Sequence, residues 1–213
     1  HIRDPFVLID NGKTYLYRTL GQGDDDNSDI GFCVFVSEDG ENYEKKVIYR
    51  KTQDFWANKD YRAPEVHKID GKYYLFASFK KDGRRRASHI FVCNIPDGMF
   101  VPLEKPLTPV DWDCLDATYY GENGKRYTIF CHEWVQCHDG EMILSELDEN
   151  FSMCGEIQKL FSASEAPWVK PFRSVDFVTD GPFVYKMKNG KLLMLWSSFG
   201  ECGYCLLYTS DAA

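Results

Sequence analysis

The chain has 213 residues, 44% of them apolar, and a mean hydropathy of −0.42, which together describe one water-soluble globular domain. A formal net charge of −8 argues against a nucleic-acid partner, whose phosphates are held by clustered Lys and Arg. No run of roughly 18 apolar residues exists to cross a membrane as a helix, so no membrane partner is expected either.

In chain order, the sequence opens on His1-Ile2-Arg3-Asp4-Pro5-Phe6, already strand-like and without an initiator Met or an apolar leader. Its natural N-terminus is therefore expected upstream. A first hairpin runs from Asp4-Pro5-Phe6 through Asn11-Gly12-Lys13 to Tyr15-Leu16-Tyr17. Asp24-Asp25-Asp26-Asn27 resembles a calcium loop only superficially and is read as a solvated turn, before a strand over 31–37. A second hairpin runs from Ala63-Pro64-Glu65-Val66 through Asp70-Gly71-Lys72 to Tyr73-Tyr74-Leu75-Phe76. The basic run Lys80-Lys81-Asp82-Gly83-Arg84-Arg85-Arg86 then surrounds a glycine, as the solvated tip before a strand over 88–93. Leu115-Asp116-Ala117-Thr118, Asn123-Gly124-Lys125 and Tyr127 form the third hairpin, with another strand over 141–147. The fourth is Asp180-Gly181-Pro182-Phe183, Asn189-Gly190-Lys191 and Leu192-Leu193.

These four hairpins share one grammar, with turn glycines at Gly12, Gly71, Gly124 and Gly190, at intervals of roughly 50–70 residues that suit four-stranded repeats with extra loops. Asn-Gly or Asp-Gly between alternating runs predicts a type I′ turn, which needs positive φ at both central residues. No segment carries a sustained 3.6-residue period. The fold class is therefore all-β, a five-bladed β-propeller with about four blades in this chain. A β-sandwich of similar hairpins is the alternative. It gives no reason to place an acid and a Pro at each first strand, whereas a propeller brings those strands to one central channel.

The repeat supplies Asp4, Glu65, Asp116 and Asp180 at corresponding or neighbouring positions. Carboxylates that converge are what glycosidic hydrolysis needs: one ionised to activate water, one protonated to donate to the leaving oxygen. Each could instead organise a tight Pro turn by accepting backbone N–H groups. That reading ranks below catalysis for Asp4 and Asp116 and is at least its equal for Glu65. Trp56 and Trp112 could stack on sugar rings, and His132-Glu133-Trp134 could line the pocket rim; packing between blades is the commoner fate of any single Trp. His67 and His89 read as structural histidines. No Cys-x-x-Cys pair occurs among the eight cysteines, and Cys33, Cys93 and Cys131 lie in apolar runs. They read as buried free thiols, which leans toward a reducing compartment.

Arg3-Asp4-Pro5-Phe6, Ala63-Pro64-Glu65-Val66-His67 and Thr179-Asp180-Gly181-Pro182-Phe183 resemble the blade-opening motifs of glycoside hydrolase family 43, and the resemblance extends to about Tyr204. It implies an inverting glycosidase on arabinosyl or xylosyl linkages of plant glycans, with a carbohydrate as partner. By that resemblance Asp4 is the general base, and Asp116 tunes and orients the acid, although the usual Pro after this Asp is replaced by Ala117. The acid is expected in Glu-x-Pro. Asp180 stands in register with one methylene fewer, while Glu165 in Glu165-Ala166-Pro167 has the right chemistry further upstream; both stay open. The resemblance requires no cofactor and allows a structural calcium ion at the propeller axis, for which no residue here identifies a ligand set. Two other functions stay in view: a phosphorylase of the same broad group, and a carbohydrate-binding propeller that has lost catalysis.

The run 205–213 breaks the grammar and reads as a non-native tail, translated from a sequencing adapter, on a glycosidase domain over 1–204 whose final blade is missing. The intact gene is then expected to encode a different run after Tyr204, and the same codons there would refute the idea. On this reading the fragment expressed by itself is poorly soluble and inactive.

Overall fold

The computed structural model describes residues 4–21 and 29–210. Arg3 of the first motif, the acidic run Asp24-Asp25-Asp26-Asn27 and the last three residues of the tail lie outside them.

The described residues form four antiparallel sheets in which neighbouring strands follow chain order, the meander of a propeller blade. The first contains β1 (Phe6–Asp10), β2 (Lys13–Gly21), β3 (Gly31–Ser37) and β4 (Glu44–Arg50). The second contains β5 (Lys59–Ile69), β6 (Lys72–Lys80), β7 (Ala87–Cys93) and the short β8 (Val101–Pro102). The third contains β9 (Cys114–Glu122), β10 (Lys125–His132), β11 (Glu141–Leu147) and β12 (Met153–Ser162), with a one-turn helix α1 (Trp134–Cys137) between β10 and β11. The fourth has three strands, β13 (Asp180–Lys186), β14 (Leu192–Gly200) and β15 (Gly203–Ser210). β15 carries the first tail residues, which pair with β14 from Gly200↔Gly203 onward. The sheets fall into two compact units, His1–Pro106 and Leu107–Ala213.

Three of the four predicted turns have the type I′ signature: Asn11 and Gly12, Asp70 and Gly71, and Asn123 and Gly124 all carry positive φ. The fourth differs. Its loop spans 187–191 and is closed by Gly190 N–H to Met187 O, so positive φ is needed only at Gly190. Asn189 instead accepts the Lys191 N–H through its side chain, at 3.0 Å.

The blades also repeat a feature that no turn motif announces. Besides an earlier slip of β5 between Lys59 and Arg62, β5, β9 and β13 share one slip of register against the second strand: between Arg62 and Glu65, between Leu115 and Thr118, and between Asp180 and Phe183. Each slip contains one left-handed residue, Ala63, Asp116 or Gly181, followed by Pro64, Ala117 or Pro182. Asp4, at φ 47 before Pro5, stands at the matching place ahead of β1. Such bulges re-aim a side chain out of the ladder. They also correct the sequence alignment, because the position equivalent to Asp4 and Asp116 is Gly181, and Asp180 lies one residue before it.

The first unit is packed with aromatic carbon: Tyr17, Phe32, Tyr61, Phe79 and Phe91 are fully buried in one cluster that joins its two sheets. Across that seam Thr19 Oγ1 donates to Tyr61 O at 3.0 Å and Tyr17 Oη to Pro96 O at 2.8 Å. The second unit gathers Ile129, Cys131, Met142 and Trp196. The basic run does turn the chain between β6 and β7. Arg86 is not solvated, however; it pairs with Asp60 at 2.9 Å, both largely buried.

Candidate active site

Within the second unit the bulges bring two of the carboxylates together. Asp116 projects from the bulge of β9, and its Oδ2 accepts the Gly181 N–H from the neighbouring bulge at 3.1 Å. Asp180, the first residue of β13, accepts the Tyr204 phenol on Oδ2 at 2.7 Å. Beneath them lies the Cys131 thiol, which burial, reinforced by Asp116 and Asp180, holds well above the ordinary thiol range. The Tyr204 phenol is likewise pushed up, first by desolvation and then by Asp180 and Asp116. Two neighbours thus feel both negative charges, which marks one electronegative locus.

Asp4 is exposed in the first unit, on its left-handed turn before Pro5. Glu65, two residues past the β5 bulge, contacts His67 Nε2; the His67 ring packs against Phe6 and Phe76 at 5.6 and 5.7 Å. Glu165 ends the 3₁₀ turn Ala163–Glu165, where its Oε1 accepts the Ser162 N–H at 2.8 Å in a capping box.

The aromatic candidates divide. Trp56 packs against Phe55 and Phe79, and its Nε1–H donates to His89 Nδ1 at 3.1 Å. It belongs to the aromatic core. His89 completes itself through Leu103 O at 2.9 Å, and burial lowers its pKa to about 4, so the buried ring is neutral. Trp112 stacks on the His132 ring at 4.4 Å. Glu133 is buried at the start of α1. Trp134 meets Phe172 edge-on at 5.6 Å, Phe172 stacks on Phe199 at 4.5 Å, and Phe199 meets Tyr204 at 5.2 Å. A string of rings therefore leads from Trp134 to the phenol on Asp180. Phe172, Phe199 and Tyr204 come from separate segments, and no spacing in the sequence marks them.

Among the described residues, His132, Cys137 and Glu141 place one donor atom each within 4.8 Å of one another. A nitrogen, a sulfur and a carboxylate oxygen do not fit calcium, which takes oxygen donors alone.

Residues 1–212 match the sequence profile of Glycosyl hydrolases family 43. The chain belongs to that family. A xylosidase/arabinosidase 43A from Humicola insolens is 28% identical over 151 residues, 63% of this chain and 46% of that protein. An extracellular exo-α-(1→5)-L-arabinofuranosidase from Streptomyces chartreusis is 29% identical over 159 residues, 70% of this chain and 47% of that protein. The chain thus spans less than half the length of these two curated relatives. The fold matches the crystal structure of an endo-arabinase from Bacteroides thetaiotaomicron with a TM-score of 0.89 at 36% identity, covering 99% of this chain and 75% of that one. The four sheets are four blades of the family's β-propeller.

Proposed function

We propose that the protein containing this chain is an inverting glycosidase acting on arabinosyl or xylosyl linkages of plant glycans, with Asp4 as general base, Asp180 as general acid and Asp116 orienting that acid. The observation that carries this reading is the pairing of Asp116 with the Gly181 N–H, the amide immediately after Asp180. That bond holds the backbone beside the proposed acid, and the action of both carboxylates on Cys131 and Tyr204 supports their working as a pair. A negative charge near a carboxyl group disfavours its ionisation, which is the environment a proton donor needs.

Asp180 is preferred to Glu165 because the Glu165 carboxylate is already used as a cap. The family's relatives, described as xylosidase/arabinosidase and arabinofuranosidase, supply the sugar class. In the mechanism Asp4 takes a proton from water as the water attacks the anomeric carbon. Asp180 gives its proton to the departing oxygen, and the configuration inverts. No cofactor enters these steps.

Inversion needs roughly 6.5–9.5 Å between base and acid carboxyl groups. The deciding experiment replaces Asp4 by Ala in the complete protein and follows turnover of aryl arabinosides and xylosides. Turnover should vanish; near-normal rates would overturn the assignment, and a strict dependence on phosphate would reassign the protein as a phosphorylase.

A further inference from the structure

The connection from β10 to β11 brings together three residues that the glycosidase reading does not use as a group. His132 ends β10, Cys137 ends α1, and Glu141 begins β11 directly opposite His132 in the register. Their donor atoms all lie within 4.8 Å of one another. His132 Nδ1 faces Glu141 Oε2 at 2.8 Å, and the other carboxylate oxygen is 3.4 Å from Lys159 Nζ. Cys137 Sγ lies 3.2–3.5 Å from the carbonyl oxygens of His132, Glu133 and Asp139.

Gln136 determines what that geometry requires. Its Nε2 donates to Asp111 O at 3.0 Å and its Oε1 accepts the Asp113 N–H at 2.6 Å, so the amide cannot be turned over without losing both bonds. The same Oε1 faces His132 Nε2 at 3.2 Å, which makes that nitrogen the donor. Nδ1 is then the ring nitrogen turned toward Glu141 Oε2 and left available as a ligand atom. Trp112, stacked on the imidazole at 4.4 Å, presents a π-face that favours positive charge there. An outer-shell partner that fixes the ring of a ligating histidine through its second nitrogen is the usual support of a metal site.

We propose that His132 Nδ1, Cys137 Sγ and Glu141 Oε2 form a site for a thiophilic divalent cation of the zinc class, which clamps the β10–β11 connection. Mixed nitrogen, sulfur and oxygen donors select zinc or cobalt over calcium and magnesium. Bond lengths of about 2.0–2.3 Å in a tetrahedron set ligand separations near 3.3–3.6 Å, so Nδ1 and Oε2, 2.8 Å apart, would part by about half an ångström to admit the ion. The fourth position is left to water. The ion would displace the thiol proton. The connection it closes carries Glu133 and Trp134, so the clamp would stiffen that end of the third blade.

The test is equilibrium dialysis of the complete protein against Zn²⁺, with Co²⁺ as the spectroscopic probe. One ion per chain is expected, and the cobalt form should show thiolate-to-metal charge transfer in the near ultraviolet. Cys137→Ser should remove that band and weaken binding by about 100-fold or more. Gln136→Leu, which supplies no ligand, should weaken it by about 10-fold or more by freeing the imidazole. Circular dichroism establishes that each variant is folded. Because seven other cysteines are present, the difference between variants decides. Equal binding by wild type and Cys137→Ser, or no binding by either, overturns the site and leaves the glycosidase reading untouched.

Discussion

The two units of the chain solve the same blade architecture with different interiors. In the first, rings fill the space: Phe79 meets Tyr61, Phe55 and Phe91 at 4.9, 5.1 and 5.5 Å, and the buried His89 is held neutral among them. In the second, buried polar groups are more numerous than in the first and include acids, among them Thr118, Thr128, Thr179, Ser198, Asp113 and Glu133. Thr128 Oγ1 donates to Thr118 O at 3.1 Å and Ser198 Oγ to Val178 O at 2.5 Å, carbonyls two residues from Asp116 and Asp180. The contrast separates two tasks. The first unit's interior is a store of stability, whereas the second unit's interior fixes directions, at a cost in hydrophobic burial.

That contrast can be broken by mutation in the complete protein. The largest effect is expected for Asp116→Asn, which should lower kcat by about 10²–10⁴-fold while moving the melting transition little, because it removes a charge from the acid's neighbour. Phe79→Ala should do the reverse, costing about 3–5 kcal/mol in denaturant unfolding with the active-site chemistry intact in whatever remains folded. A Phe79→Ala protein of normal stability would show that the aromatic cluster is not the store it resembles.

The neutral His89 gives the first unit a pH signature. Its folded pKa of about 4 lies below the ordinary histidine value, so the unfolded chain binds the proton first. The stability it contributes is whole above about pH 6.5 and is lost as the pH falls toward 4, a decline of about 3 kcal/mol. His89→Gln should flatten that part of the stability-against-pH curve; an unchanged curve would assign the decline elsewhere.

The smallest expected effects sharpen the choice of acid. Glu165→Ala should reduce stability by about 0.5–2 kcal/mol through its cap, with kcat unchanged, and Glu165→Gln, whose amide oxygen still accepts the Ser162 N–H, should change neither. A fall in kcat matching that of Asp180→Asn would transfer the acid's role to Glu165.

Hairpins were legible from the sequence wherever the backbone requirement is local. Asn11-Gly12, Asp70-Gly71 and Asn123-Gly124 each demand two left-handed residues, and side chains that tolerate this are visible in the letters. The Asn189-Gly190 pair has the same letters but sits in a longer loop, since its register with the flanking strands is set by pairing further along the sheet. Trp56 shows the limit for single aromatics: its letter is equally that of a sugar platform and of a core residue, and only its neighbours Phe55, Phe79 and His89 distinguish them.

The sequence by itself determined the all-β repeat, the positions of its hairpins and the presence of an acid near each blade opening, because these depend on turn conformation and strand periodicity within a few residues. Only the tertiary structure decided how those acids are aimed and what they touch. The bulges place Asp116 and Gly181 in equivalent left-handed positions, leave Asp180 one residue ahead, and bring Tyr204 onto it from another strand. A bulge is a relation between two paired strands, and the Glu165 cap is a fold of the chain back onto Ser162. Neither is a property of one residue, so neither can be read until the strands are paired.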